Sequence, residues 1–361
     1  MSSHSKPKLF IPGPTHVEQE VLTAMSEYPV GHRSATFSEL YDDVISGVAR
    51  ILYTDNRIYL GTCTATGFME AAVRNTVQKR CANFICGAFS KRWHQITKMC
   101  GILCDPFEVE MGMANKPEAV EAALSTGRYD AVTVVHSETS TGVLNPLDEI
   151  AAVVNQFPDV VLLIDMVTSM AGIKTKVDKL GIDVALAGVQ KGWGIPPGIA
   201  FCSVSDRALA KSEQTDNKGF YFDFQVMEKY AKRSQTPTTP SISHMYAMQT
   251  QLNRIFDEGL DQRFERHSKM AERVRKWARE EFSLFAEEGY ESDTVTCVQN
   301  SRGVDLTDLL ARLLKKGYMI SGGYGPLKGK TFRIAHMGDL QLRDIEEILS
   351  VLDETLLEMN V

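Results

Sequence analysis

Six short apolar runs recur between residues 55 and 205, separated by segments of helical periodicity. This alternation constrains the fold more than any other feature of the chain. The runs fall at 58–60, 83–86, 131–135, 160–164, 184–187 and 199–204. The segments between them, such as 116–124 and 147–155, repeat their apolar residues at helical spacing. Near-continuous apolar runs of this length read as strands buried on both faces. Strands alternating with helices specify an α/β fold with a large, mostly parallel sheet covered on both sides. Past residue 205 the pattern changes. Thr236-Pro237-Thr238-Thr239-Pro240 is extended, residues 243–281 form one long amphipathic stretch, and the last eighty residues mix strand and helix as a smaller α+β domain. At 361 residues two domains are expected. The expected division is an extended arm over 1–15, a large domain over 16–245 and a small C-terminal domain over 246–361. Residues 16–25 read as a short helix with Thr15 as its N-cap.

Composition narrows the function. A net charge of −7 leaves no basic footprint for nucleic acid. No apolar run is long enough to cross a membrane, and the N-terminus lacks the apolar core of a secretory signal. The seven cysteines are odd in number and scattered, without a CxxC pair. Reduced thiols in a cytoplasmic setting are therefore expected, with no metal site.

One lysine stands out against this background. Lys191, in Val189-Gln190-Lys191-Gly192-Trp193-Gly194, lies between two apolar runs, and a lysine is almost never buried without a partner or a task. Asp165 closes the run at 160–164. A carboxylate at one strand end and an amine after the next are what a pyridoxal 5′-phosphate (PLP) enzyme needs; a buried ion pair without chemistry is the competing reading. In open α/β sheets ligands bind beyond the carboxyl ends of the strands, and further polar groups collect there. Gly61-Thr62-Cys63-Thr64-Ala65-Thr66-Gly67 follows one run and opens a helix, so its N–H groups and hydroxyls suit a phosphate; a plain capped loop is the alternative. Phe89 follows the next run and could stack on a flat ring, or belong to the core. His136 to Gly142 places hydroxyls beside the same point, Thr139 foremost, unless the cluster only caps a helix. Beneath a pyridine ring the Asp165 carboxylate favours protonation of the nitrogen, and a freed Lys191 amine can move a proton. Arg333 interrupts the apolar pattern of 331–335 and could grip a carboxylate with two parallel hydrogen bonds, or face an ion pair.

Taken in order, these pieces resemble the class V PLP-dependent aminotransferases, in the branch of alanine–glyoxylate, serine–glyoxylate and serine–pyruvate aminotransferases. The resemblance spans nearly the whole chain. It includes Pro12-Gly13-Pro14-Thr15, Gly31-His32-Arg33-Ser34, Glu138 to Gly142, Asp165-Met166-Val167-Thr168-Ser169, Gln190-Lys191, Thr236 to Pro240 and Phe332-Arg333-Ile334. It implies the PLP-dependent transferase fold of type I, with Lys191 as the Schiff-base lysine and Asp165 as the partner of the pyridine nitrogen. By the same resemblance Phe89 is the stacking aromatic. Thr64, Ala65, Thr66, Thr139, Val167 and Gln190 contact the cofactor, and Arg333 with Gly13 binds substrate. Thr236 and Thr239 are expected to reach the phosphate of a neighbouring subunit, so the resemblance implies a homodimer with shared sites and an arm that crosses over. The implied substrates are a small amino acid and a 2-oxo acid. Trp193, where relatives carry smaller residues, is expected to narrow the substrate pocket.

A 2-aminoethylphosphonate aminotransferase is the nearest rival and would require another cationic cradle, for which Arg33, His32 and His336 are the candidates. A cysteine desulfurase would need a nucleophilic cysteine in 322–330, and none is present. A degenerate relative acting only as a binding subunit would have lost Lys191 or Asp165.

Overall fold

A computed structural model describes residues 6–216 and 218–360. Seven strands make the main sheet: β1 (Arg57–Gly61), β2 (Cys81–Ile85), β3 (Cys104–Glu108), β4 (Ala131–Val135), β5 (Val161–Asp165), β6 (Val184–Gly188) and β7 (Ala200–Val204). Across the sheet they lie in the order β1-β7-β6-β5-β4-β2-β3. β7 is antiparallel to both its neighbours, and the other six strands share one direction. Successive residues of β5 enter different cores. Leu162 and Ile164 join the larger apolar cluster, while Val161 and Leu163 join the one on the opposite face. Period-two geometry with both faces covered is why the sequence shows a continuous apolar run rather than alternation. β3 was not among the expected strands. It is an edge strand, half exposed and carrying Pro106, so its sequence lacks the buried-strand signature.

The amphipathic stretch read as one unit over 243–281 is two helices, Ile242–Glu258 and Leu260–Glu281, broken at Gly259 with φ of 87°. Glycine reaches that backbone conformation without strain. The first helix packs on Ala35–Leu52, where Leu252 fills the space a side chain at Gly47 would need. The second covers a four-stranded antiparallel sheet of β8 (Ser283–Leu284), β9 (Val295–Gln299), β10 (Ser321–Gly322) and β11 (Thr331–Ala335), ordered β8-β9-β11-β10. On β11, Phe332 and Ile334 enter the apolar core of this smaller sheet. Arg333 between them must therefore face the other way, and there it hydrogen-bonds the Thr139 carbonyl of the main-sheet region.

The expected N-terminal arm is described from residue 6 onward, and its residues 1–5 lie outside the described residues. It lies on its own chain: Lys8–Leu9 pairs in parallel with Tyr318–Met319, and the Ala335 amide donates to the Phe10 carbonyl at 2.8 Å. Phe10 is fully buried in the small-sheet core, so both backbone pairing and apolar burial hold the arm in place. Thr15 does not cap a helix. Its amide donates to the Gln190 carbonyl at 3.1 Å and its hydroxyl to the Lys191 carbonyl at 3.1 Å, and the short helix starts later, at Gln19–Ala24. Phe10→Ala should lower stability to urea by about 3–5 kcal/mol, the usual cost of deleting a buried phenylalanine. It should also open residues 6–15 to protease. An unchanged urea midpoint would show that the arm is not held by Phe10.

Candidate active site

The carboxyl ends of β1, β2, β4, β5 and β6 all point to one edge of the sheet and open on a cavity of about 370 Å³. After β1, Thr64 precedes the helix Ala65–Thr76; its hydroxyl makes no capping hydrogen bond, and Thr64, Ala65 and Thr66 line the cavity. After β2, Phe89 occupies the first turn of the helix Ala88–Met99. After β4 comes Thr139; β5 ends on Asp165 with Val167 beyond it; β6 leads to Gln190 and Lys191. Gly13 from the arm and Arg333 from β11 close the remaining walls. Gly13 has φ of 119°, and a Cβ there would stand 3.1 Å from the Cγ of Lys191, so both backbone and space require glycine. Thr236 and Thr239 do not line this cavity. Thr236 is buried, with its carbonyl bonded to Arg33, and Thr239 is exposed.

Lys191 is buried, and its Nζ donates to Thr139 Oγ1 at 2.6 Å and Thr168 Oγ1 at 2.9 Å. The two hydroxyls are also in contact with each other, at 2.5 Å. Burial holds the amine below the ordinary lysine range, and Arg333 and Arg92 push the same way, while Asp165 and Glu138 partly oppose them. Burial likewise raises the Asp165 carboxyl above its ordinary value, opposed by the Val167 amide, which donates to Oδ1 at 2.7 Å, and by Lys191. The chain thus keeps a lysine whose proton leaves more readily than usual near a carboxylate that holds its proton more tightly than usual.

Glu138 organises the wall opposite. Its fully buried carboxylate accepts from the Phe89 amide at 3.2 Å, the Ser90 amide and hydroxyl at 3.0 Å, and the Ser140 hydroxyl at 2.6 Å. A negative group at the N-terminus of Ala88–Met99 satisfies amides that lack helical partners and matches the helix dipole. Gly87 leaves the room: a Cβ there would lie 2.4 Å from Glu138 Cγ.

Sequence reasoning missed Thr168, Arg92 and Tyr324, all of which line the cavity. Thr168 follows Asp165 by three residues, and Arg92 follows Phe89 by one helical turn, a spacing that places both side chains on one face. Tyr324 sits in a glycine-rich loop without periodicity, and nothing local marks it. The expectation for Trp193 is corrected. It lies in the main apolar core against Phe201, fully buried and away from the cavity, so it narrows no substrate pocket. Its position directly after the buried Lys191-Gly192 turn sends the ring behind the lysine rather than in front of it.

The class V aminotransferase model matches residues 8–327. The chain belongs to this family. An uncharacterized aminotransferase of Methanocaldococcus jannaschii is 36% identical, covering 98% of this chain and 94% of that protein. The serine–glyoxylate aminotransferase of Methylorubrum extorquens is 31% identical, covering 92% and 86%. The crystal structure of an alanine–glyoxylate aminotransferase from Nostoc sp. superposes with a TM-score of 0.93 at 29% identity, covering 98% of this chain and 96% of that one. This class V aminotransferase is a PLP-dependent transaminase with the type I fold, related to the glyoxylate aminotransferases.

The cavity fits that cofactor. Uncapped threonine hydroxyls at a helix N-terminus suit a phosphate, Phe89 and Val167 offer apolar surfaces to a flat ring, and Asp165 can pair with a pyridine nitrogen. When bound, PLP supplies an aldehyde to carry the amino group and a protonated ring to withdraw electrons. Lys191 Nζ would then be the group placed to handle a proton, with the Thr139 and Thr168 hydroxyls orienting the amine. Colour development on adding PLP to cofactor-free protein should accelerate with pH through a midpoint below the ordinary lysine value. Asp165→Asn removes a charge that favours the protonated amine, so it should move that midpoint lower still. A wild-type midpoint at the ordinary lysine value, or an upward shift in the variant, contradicts this account of Lys191.

Proposed function

We propose that this aminotransferase moves an amino group from a small amino acid, alanine or serine, to a small 2-oxo acid, glyoxylate or pyruvate, in a ping-pong cycle. The observation that carries the reading is the placement of Arg333. Its guanidinium faces the same cavity as Lys191, bonds only to the Gly322 and Thr139 carbonyls, and has no carboxylate partner among the described residues. Such a group grips an α-carboxylate in two parallel hydrogen bonds. That grip places the Cα proton of the amino acid within reach of the Lys191 amine, which takes it from Cα and returns it to the cofactor side. A cavity of about 370 Å³ shared between cofactor and substrate favours a small substrate. Serine and alanine are named for the two glyoxylate aminotransferases described above.

The aminoethylphosphonate reading loses the cradle suggested for it. His336 is fully buried against Thr296 and the Asp293 carbonyl, Arg33 bonds the Thr236 carbonyl, and none of Arg33, His32 and His336 lines the cavity. Among the described residues no cysteine lines it either, which disfavours desulfuration. We assign the working form as a homodimer in which Thr236 and Thr239 serve the second subunit's cofactor. Seven free thiols suit a cytoplasmic setting. Among the described residues no helix is long and apolar enough to cross a membrane.

Lys191→Ala should abolish turnover and borohydride trapping while the circular dichroism spectrum stays that of the wild type; wild-type rates in this variant refute the assignment. Arg333→Ala should raise KM for amino acid and 2-oxo acid together, by about tenfold or more for loss of a charged bidentate contact. Unchanged KM values for both remove Arg333 from the site.

A further inference from the structure

The helix Leu260–Glu281 carries in its first turn a buried arginine, Arg263, which lines no part of the cavity. Its guanidinium makes four hydrogen bonds. Nη1 donates to Glu258 Oε2 at 3.0 Å and to Asp339 Oδ1 at 3.1 Å. Nε donates to the Ala171 carbonyl at 2.9 Å, and Nη2 donates to the Gly192 carbonyl at 2.7 Å. The two carboxylates answer the charge, as a buried cation requires. The two carbonyls serve another purpose. Among the described residues no other donor reaches either of them. Each belongs to a segment that carries part of the site. Gly192 directly follows Lys191, and Ala171 closes the stretch that begins at Asp165 and includes Thr168.

The two segments press on one another. A Cβ at Gly192 would stand 2.5 Å from the Met170 carbonyl oxygen. Ala171 has φ of 64°, a left-handed conformation that a residue with a side chain enters at a cost. Local preference therefore does not hold this backbone, and a bond to the Ala171 carbonyl does. Nε and Nη2 share one edge of a rigid plane, so their two N–H groups fix the separation of the two acceptors they reach. That separation matters at the reactive atom. Lys191 Nζ donates to Thr168 Oγ1 at 2.9 Å, a contact made across the same two segments.

We infer that Arg263 is a positioning residue for the reaction: by bridging the Gly192 and Ala171 carbonyls it sets the spacing between the turn that carries Lys191 and the segment that carries Asp165 and Thr168. This rests on Lys191 as the reactive amine and names what holds it in place. Without the fork, the turn is free to shift relative to Thr168, and water gains access to the amine. Burial is the largest influence on Lys191 and lowers its proton affinity, so loss of burial raises it again. The charged groups that act on the amine, Asp165, Glu138, Arg333 and Arg92, are unchanged by a substitution at position 263. A lysine there keeps a positive charge for Glu258 and Asp339, but it is a point charge without the paired edge.

The test compares the wild type with Arg263→Lys, Arg263→Met and Val274→Ala. Val274 lies on the same helix but in the small-sheet core, and its variant serves as a control for lost stability. The first readout is the pH midpoint of colour development when PLP is added to cofactor-free protein. It needs no substrate, so it tests Arg263 whichever amino donor is right. The second is kcat and KM of the holoenzyme with L-alanine and L-serine. The midpoint should rise in Arg263→Lys and further in Arg263→Met. In both, kcat should fall about tenfold or more while KM for the donor stays within about twofold, because Arg333 is untouched. Val274→Ala should lower Tm and leave midpoint and kcat as they are. Should only Arg263→Met fail to fold by circular dichroism, Arg263→Lys carries the test. A wild-type midpoint and kcat in Arg263→Lys overturn the positioning role. So does a midpoint shift in Val274→Ala as large as that in Arg263→Lys, and so does failure of both Arg263 variants to fold, which assigns the residue to folding alone. Colour in the wild type with unmoved midpoints removes Arg263 only; no PLP colour in the wild type removes the Lys191 assignment and this role with it.

Discussion

A lysine amine removed from water is the constraint around which the rest of this molecule is arranged. Charged and buried, Lys191 would be costly. The chain meets that cost with two hydroxyls within 3 Å and with carboxylates near enough to act on it through space. Those groups come from the ends of different strands, so the amine can be held only after the parallel sheet has brought β4, β5 and β6 side by side. Burial here does two things at once. It lowers the proton affinity of the amine, and it sets the nitrogen among groups held at the ends of the central strands.

Glu138 plays the same part for the opposite wall. A buried carboxylate surrounded by neutral donors is an unusual solution, and it works because the donors are the unpaired amides of a helix start. The aromatic ring of Phe89 is therefore fixed through its own backbone amide. Arg92 rides on the same helix, so one carboxylate sets both the ring-facing surface and the guanidinium one turn further along.

How much of this was legible in the sequence follows from which physical rules act locally. The central strands were, because residues such as 160–164 are covered on both faces and must be apolar throughout. Asp165 was, because it ends such a run, and Lys191 was, because it is a charge standing between two of them; Phe89 came from the family resemblance. β3 was not: an edge strand with Pro106 does not need to be apolar. The break at Gly259 is a single-residue event inside continuous helical periodicity, and periodicity alone passes over it. Trp193 was placed wrongly because chain adjacency to Lys191 suggested spatial adjacency to the substrate, whereas the turn at Gly192 sends its ring into the core. Tyr324 was beyond reach, since its relation to Phe89 and Arg92 joins residues more than 230 positions apart in the chain. Thr168 and Arg92 were recoverable from helical and strand-end spacing.

The arm gives the architecture an unexpected economy. Between Lys8 and Thr15 a few residues are hydrogen-bonded at one end to the small sheet and at the other to the carbonyls of Gln190 and Lys191. This segment works as a tie-rod between two bodies. The strand that carries Arg333 and the backbone that carries Lys191 are thus joined through one short stretch of chain.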